Sequence, residues 1–308
     1  MKNNFFLIII FLSIIFFTNK AYALENKILF KINNEIITSL DILNEIKYLK
    51  IINKELQNIE SDKLYEISKN SLIREKIKKI ELLKNFKKLE VNEKLVNNVL
   101  IGGFKKFNIS SINELFEFLK KQKIDPETIK NKIEIEILWN QLIFYKYSNS
   151  LKIDREMIKN DLSDIKKQKE FLLSEIIFNL QIDEKLNKKF DNIKKTISDK
   201  SFSQAAIIHS ISDTAKAGGE LGWIRLSSMN PRIKDQITKI SVGNFTDPIV
   251  IPGGFLILRV NQIRDTNKEI DLEKEIEQIV NEMKNNQLNQ YSNIYYNKIK
   301  KDILINEY

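Results

Sequence analysis

His209-Ser210-Ile211-Ser212-Asp213-Thr214-Ala215-Lys216-Ala217-Gly218-Gly219-Glu220-Leu221-Gly222-Trp223 is the stretch whose reading decides the fold of this 308-residue chain. Gly218, Gly219 and Gly222 ask for backbone turns, because glycine enters positive φ without steric cost. No strand, glycine loop and helix follow one another here, so the glycines do not form a phosphate cradle. Six of the eight glycines lie between Gly218 and Gly254, and three of the four prolines, Pro231, Pro248 and Pro252, lie in the same interval. Turn chemistry is thus confined to about residues 210–255, and the sequence on both sides reads as long helices. The expected architecture is α+β: a compact α/β insert in a mostly helical frame.

Working outward, Ile28–Ile32 and Glu35–Thr38 are two β-prone runs joined by Asn33-Asn34, a pair that tolerates the positive φ of a tight turn. Ser39 or Asp41 is expected to cap a helix through Leu49. Amphipathic helices follow at 61–88, 92–107, 111–122 and 126–148. Trp139 lies beside the apolar stripe of the last and is read as core packing. Asp154 caps a helix from Arg155 to about Lys169. A strand at Phe171–Leu180, helices over 183–197 and 202–209, a loop from Leu221, a short helix from Pro231 to Ile240 and a strand at Phe255–Val260 complete the insert. A helix from Ile270 to about Ile299 and a closing strand near residues 302–306 end the chain. A lone hairpin is marginal in water, so that closing strand is expected to pair with the opening one.

Met1-Lys2, the apolar run Phe5–Phe17 broken only by Ser13, and Ala21-Tyr22-Ala23 have the pattern of a secretory signal with its cleavage site. Thirteen residues are short for a membrane span, which takes about 20; an uncleaved anchor is the other reading. Removing residues 1–23 takes away two lysines and lowers the net charge from +9 to +7. The lysines are interleaved with acids and read as solvated helix faces, without the arginine-rich or aromatic-basic pattern of nucleic-acid modules. There is no cysteine and one histidine, His209. Disulfides and thiolate metal sites are excluded, a His-centred hydrolase is disfavoured, and neither metal nor cofactor is expected. His209 is read as structural.

The quoted stretch resembles the parvulin (PpiC-type) signature, and the likeness continues through Met229-Asn230-Pro231, Val242-Gly243, Thr246-Asp247-Pro248-Ile249 and Gly254–Val260. The opening Phe30–Asp41, the stretch Glu136–Trp139 and the strand-like end resemble the SurA-like chaperones. That resemblance implies a signal peptide over 1–23 and a helical core from residues 24–170. A parvulin-like domain over 172–265 follows, then a C-terminal helix and strand, 266–308, returning to the core. It also implies a periplasmic location after cleavage near Ala23, and unfolded polypeptides, outer-membrane proteins above all, as partners, with the membrane only a transient neighbour.

Rotating an X–Pro bond takes no nucleophile or metal, and the uncatalysed step is slow, tens to hundreds of seconds in order of magnitude. The family lines its proline pocket with two histidines on adjacent strands and a cysteine or aspartate. Here the first histidine position falls on Glu175, the second on Leu256 and the third position on Ser212. Met229 is kept, and Ile233 stands where phenylalanine is usual. The resemblance makes Ser212 and Glu175 the candidates for catalysis, and Met229, Ile233, Leu256 and Trp223 those for peptide contact. A chaperone that binds without isomerising, an active prolyl isomerase and a purely structural envelope protein are the readings left open. Mass spectrometry of exported protein is expected to find Leu24 at the N-terminus; an intact Met1 or a membrane-retained apolar run would contradict the signal reading.

Overall fold

The computed structural model describes residues 26–163, 168–181, 183–266 and 272–308. The expected signal segment and its cleavage after Ala23 lie outside the described residues. Strands β1 (Ile28–Ile32) and β2 (Glu35–Thr38) form an antiparallel hairpin, with Asn33 at φ 49° in its turn. Thr38, rather than Ser39 or Asp41, caps helix α1 (Ser39–Ile52). The Thr38 hydroxyl accepts from the Asp41 amide, and the Asp41 carboxylate accepts from the Thr38 amide at 2.8 Å, so two otherwise orphaned donors are satisfied reciprocally.

Helices α2 (Ser61–Asn85), α3 (Glu93–Phe104), α4 (Ile112–Lys121), α5 (Pro126–Tyr147) and α6 (Arg155–Ser163) follow. Asp154 accepts from the Met157 amide as expected of a cap, but Lys169 already belongs to a strand. The inserted domain runs β3 (Gln168–Phe178), α7 (Leu186–Asp199), α8 (Phe202–His209), β4 (Glu220–Arg225), α9 (Pro231–Ile237), β5 (Ile249–Ile251) and β6 (Gly254–Thr266). Its antiparallel sheet has the order β4-β3-β6-β5. The stretch after Leu221, expected as loop, is strand, and β5 was not anticipated. Gly222 interrupts the alternation of β4, and β5 is too short to carry a period of its own; tertiary pairing to β3 and β6 supplies what local propensity does not.

Helix α10 (Leu272–Lys300) and strand β7 (Ile305–Glu307) return to the beginning of the chain, where β7 pairs with β1 to give the order β2-β1-β7. One apolar core therefore joins Phe30, Ile32 and Ile37 to Leu72 and Ile77, to Leu138 and Trp139, and to Tyr296 and Ile303. The start, middle and end of the sequence share it, and the sheet domain is inserted between them. Trp139 is fully buried, and its indole N–H donates to Ser292 Oγ on α10 at 2.8 Å.

Two lysines depart from the solvated-face reading. Lys78 is 0% exposed and bridges Glu136 at 2.6 Å and Asp213 at 3.2 Å. Lys132 is 4% exposed and bridges Glu45 at 3.0 Å and Glu75 at 2.5 Å. Burial alone would push the Lys132 ammonium down, but Glu45 and Glu75 more than reverse it, and the group stays charged. Each cation has two carboxylates, which is what makes its burial tolerable.

Truncating Trp139 to Ala removes a buried aromatic and the bond that pins α5 to α10. A loss of about 3–5 kcal/mol is expected in denaturant unfolding of the protein; a loss below about 1 kcal/mol would contradict the shared core.

Candidate peptide-binding site

Along β3, Leu173, Glu175 and Ile177 point to one side of the sheet, while Ile176 and Phe178 pack with Phe202, Ala205 and Ala206 of α8 on the other. On the first side a cavity of about 410 Å³ opens. From the sheet domain its walls include Glu175, Ser212, Met229, Ile233 and Leu256, and from α10 they include Met283, Asn286, Gln290 and Ile294. β3 and β6 are the two central strands, with Glu175 opposite Leu258 and Leu256 opposite Ile177 in the register. Met229 and Ile233 are set by the N-terminus of α9, where Asn230 Oδ1 accepts from the Ile233 amide at 2.9 Å and Pro231 fills the first turn.

The polar corner of the cavity is a chain of hydroxyls. Thr214 Oγ1 donates to Glu175 Oε1 at 2.8 Å, the Thr214 and Ser212 hydroxyls are 2.7 Å apart, and those of Ser212 and Ser210 are 3.0 Å apart. Ser210 Oγ in turn accepts from the Ile177 amide at 3.0 Å. Burial pushes the Glu175 carboxyl above its ordinary range, only partly offset by the bonds from Thr214 and Ser212. Gly219 makes the corner possible. It has φ 79°, and a Cβ there would lie 2.1 Å from the Glu175 carbonyl oxygen. With glycine, its own carbonyl instead accepts from the Glu175 amide at 2.8 Å.

The 3₁₀ turn Asp213–Ala217 that carries Thr214 is anchored from outside the domain. Arg74 of α2 bonds Asp213 Oδ1 at 2.8 Å, the Ile211 carbonyl at 2.9 Å and Asn293 Oδ1 of α10 at 3.1 Å. Burial alone would raise the Asp213 carboxyl, but Arg74 and Lys78 hold it well below the usual carboxylate range.

Residues 171–262 match the family described as Rotamase, PPIC-type PPIase domain. Over that segment the chain carries a parvulin-like domain, and its sequence is similar to chaperones of the SurA type. The Chaperone SurA of Pseudomonas putida is 23% identical over 184 residues, covering 56% of this chain and 43% of that one. The Chaperone SurA of Pectobacterium atrosepticum is 26% identical over 180 residues, covering 54% and 41%. The chain thus spans less than half the length of these curated relatives. A solved SurA-like chaperone of Campylobacter jejuni aligns over 92% of this chain and 99% of its own, at 18% identity and a TM-score of 0.35.

Of the residues singled out in the parvulin signature, Ser212, Glu175, Met229, Ile233 and Leu256 meet at the cavity. Trp223 does not. It is absent from the cavity walls, and the Arg264 guanidinium stacks over its ring at 4.0 Å. Gly222 and the irregular register near it turn Trp223 away from its neighbours Leu221 and Ile224, both of which line the cavity. His209 is paired as a structural residue, 2.8 Å from Thr196 Oγ1, with burial lowering its pKa to about 4. Thr214, the direct partner of Glu175, was missed, although the alternation Ser210, Ser212, Thr214 was available as a signal. The α10 wall was missed too; its amides recur at helical spacing but belong to no motif.

A carboxyl raised by burial holds its proton in the folded chain at pH values where the unfolded chain has lost it. Stability therefore falls as pH rises upward through the carboxylate range, and the loss is absent at low pH, where both states are protonated. Glu175→Gln is expected to raise the melting temperature at neutral pH and to leave it unchanged in acid. Equal or lower stability at neutral pH would contradict a Glu175 carboxyl raised by burial.

Proposed function

We propose that the protein is a periplasmic chaperone that binds extended segments of unfolded polypeptides, outer-membrane proteins among them, and delays their aggregation. In this reading residues 24–170 and 266–308 form the helical core, and 172–265 the parvulin domain. The observation that carries it is the chemistry of the cavity. Met229, Ile233 and Leu256 offer an apolar hole for a proline ring or an aliphatic side chain, and Glu175 and Ser212 sit beside it within a closed chain of hydroxyls. Leu256 has no donor or acceptor, and the Glu175 carboxyl engaged by Thr214 is not the imidazole that the family uses. Binding needs the hole alone, because transiently exposed apolar segments are the species at risk of aggregation.

The second reading, an active peptidyl-prolyl cis-trans isomerase, draws on the same hydroxyl chain, since Ser212 lies where it could polarise a twisted amide. The two separate in paired assays on the whole mature chain. Aggregation of an unfolded client should be suppressed and prolyl isomerisation accelerated little or not at all. Substituting Met229 and Ile233 by glutamine should weaken suppression about tenfold or more, as expected for about 1.5–3 kcal/mol of lost apolar contact. Ser212→Ala should change it little. Strong isomerisation abolished by Ser212→Ala would decide for the enzyme.

A further inference from the structure

The cavity has two unlike walls. The parvulin wall is apolar at Met229, Ile233 and Leu256, whereas the opposite wall is a helix face that carries uncharged carboxamides, Asn286 and Gln290. Among the described residues neither carboxamide has a hydrogen-bond partner in the protein. Their neighbour Gln287 has one of a particular kind. It accepts from the Lys152 amide at 2.9 Å and donates to the Lys152 carbonyl at 2.7 Å, so it pairs with both backbone groups of one residue in a non-helical segment. The face therefore already reads a polypeptide backbone once, with a segment of its own chain.

We infer that Asn286 and Gln290 form a backbone-reading wall, and that the ligand between the walls is an extended peptide whose proline or aliphatic side chain enters the apolar hole. The inference deepens the proposed function and rests on its reading of the cavity as a peptide site. Spacing supports it. Residues four apart on a helix are about 6 Å apart along its axis, and alternate residues of an extended chain are about 6.6 Å apart. Two carboxamides one turn apart thus match the spacing of every second peptide unit. Each carboxamide offers two donors and two acceptor sites, and each non-proline residue one of each, so the pairing is the one Gln287 makes. The wall is held in place, not free to swing. Arg225 of β4 bonds Glu275 at 2.8 Å, Gln278 at 3.0 Å and Glu282, all on α10, and Arg74 fixes Asn293. An uncharged wall also sets a class of ligand, because it reads main chain and so tolerates many sequences around one apolar anchor.

The test is a cycle between protein and peptide, read by fluorescence anisotropy on the full mature chain. The probes are a labelled, proline-containing extended peptide and the same peptide N-methylated at the two alternate residues flanking the proline. The wild type should lose about tenfold or more in affinity on methylation, as expected for one to two lost hydrogen bonds. Asn286→Ala/Gln290→Ala should bind the plain peptide more weakly by a similar factor and become indifferent to methylation, which is the coupling a direct contact requires. Alanine favours helix at both positions, and unchanged circular dichroism would exclude misfolding. Equal wild-type affinity for both peptides, or full methylation sensitivity in the double variant, overturns the inference. Met229→Gln/Ile233→Gln separates it from the reading beneath. If that variant loses binding while the α10 variant behaves as wild type, the peptide site stands and the α10 wall falls. If neither variant matters, both fall.

Discussion

Arg74 and Asp213 form the contact on which the rest of the arrangement depends. The guanidinium leaves α2, bonds the carboxylate that opens the 3₁₀ turn of the parvulin signature, reaches the carbonyl of Ile211 behind it and touches Asn293 on α10. It lies over the Tyr296 ring, 4.2 Å from its centre, and Lys78 shares the same carboxylate from within the core. Three segments distant in sequence meet at one side chain. Arg74 is largely buried whereas Asp213 is half-exposed, so losing the carboxylate is felt mainly at the guanidinium, which is left without its partner. The same turn positions Thr214 against Glu175, so the contact that docks the domain also shapes the polar corner of its cavity.

A buried ionic junction is weak evidence for stability in itself, but it is selective about geometry. Lys78, Lys132, Glu45, Glu75, Glu136 and Asp213 can all be satisfied only if α1, α2, α5 and the signature turn keep one mutual placement. The apolar core does the rest, joining the opening hairpin to Trp139 and to the last helix. On this account the cavity belongs to the whole chain: the parvulin domain supplies the hole, and α10 the opposite wall.

The fold was legible where the signal was chemical and local. Asn33-Asn34 announced the hairpin, Pro231 marked a helix start, and the glycines from 218 to 254 fenced off the insert. Sequence reading failed where long-range partners decide. β4 is a strand because β3 lies beside it, and Lys78 and Lys132 are buried because carboxylates from other helices meet them. Of the site, the positions taken from the parvulin pattern converge on one cavity except Trp223, whose direction follows from the irregular pairing around Gly222. Thr214 and the α10 amides carried no motif, and their roles come from a turn and a helix face that only the folded chain brings together.

Occupancy of the space between the two walls is the claim that joins fold to function, and it can be read directly. A proline-containing peptide with a photo-reactive group beside the proline, irradiated on the protein and mapped by mass spectrometry, reports what the ligand touches. The account predicts cross-links both in the segment from Met229 to Leu256 and in the segment from Met283 to Ile294, competed by unlabelled peptide. Cross-links confined to helices α1–α5, or to the parvulin segment with none on α10, would contradict it.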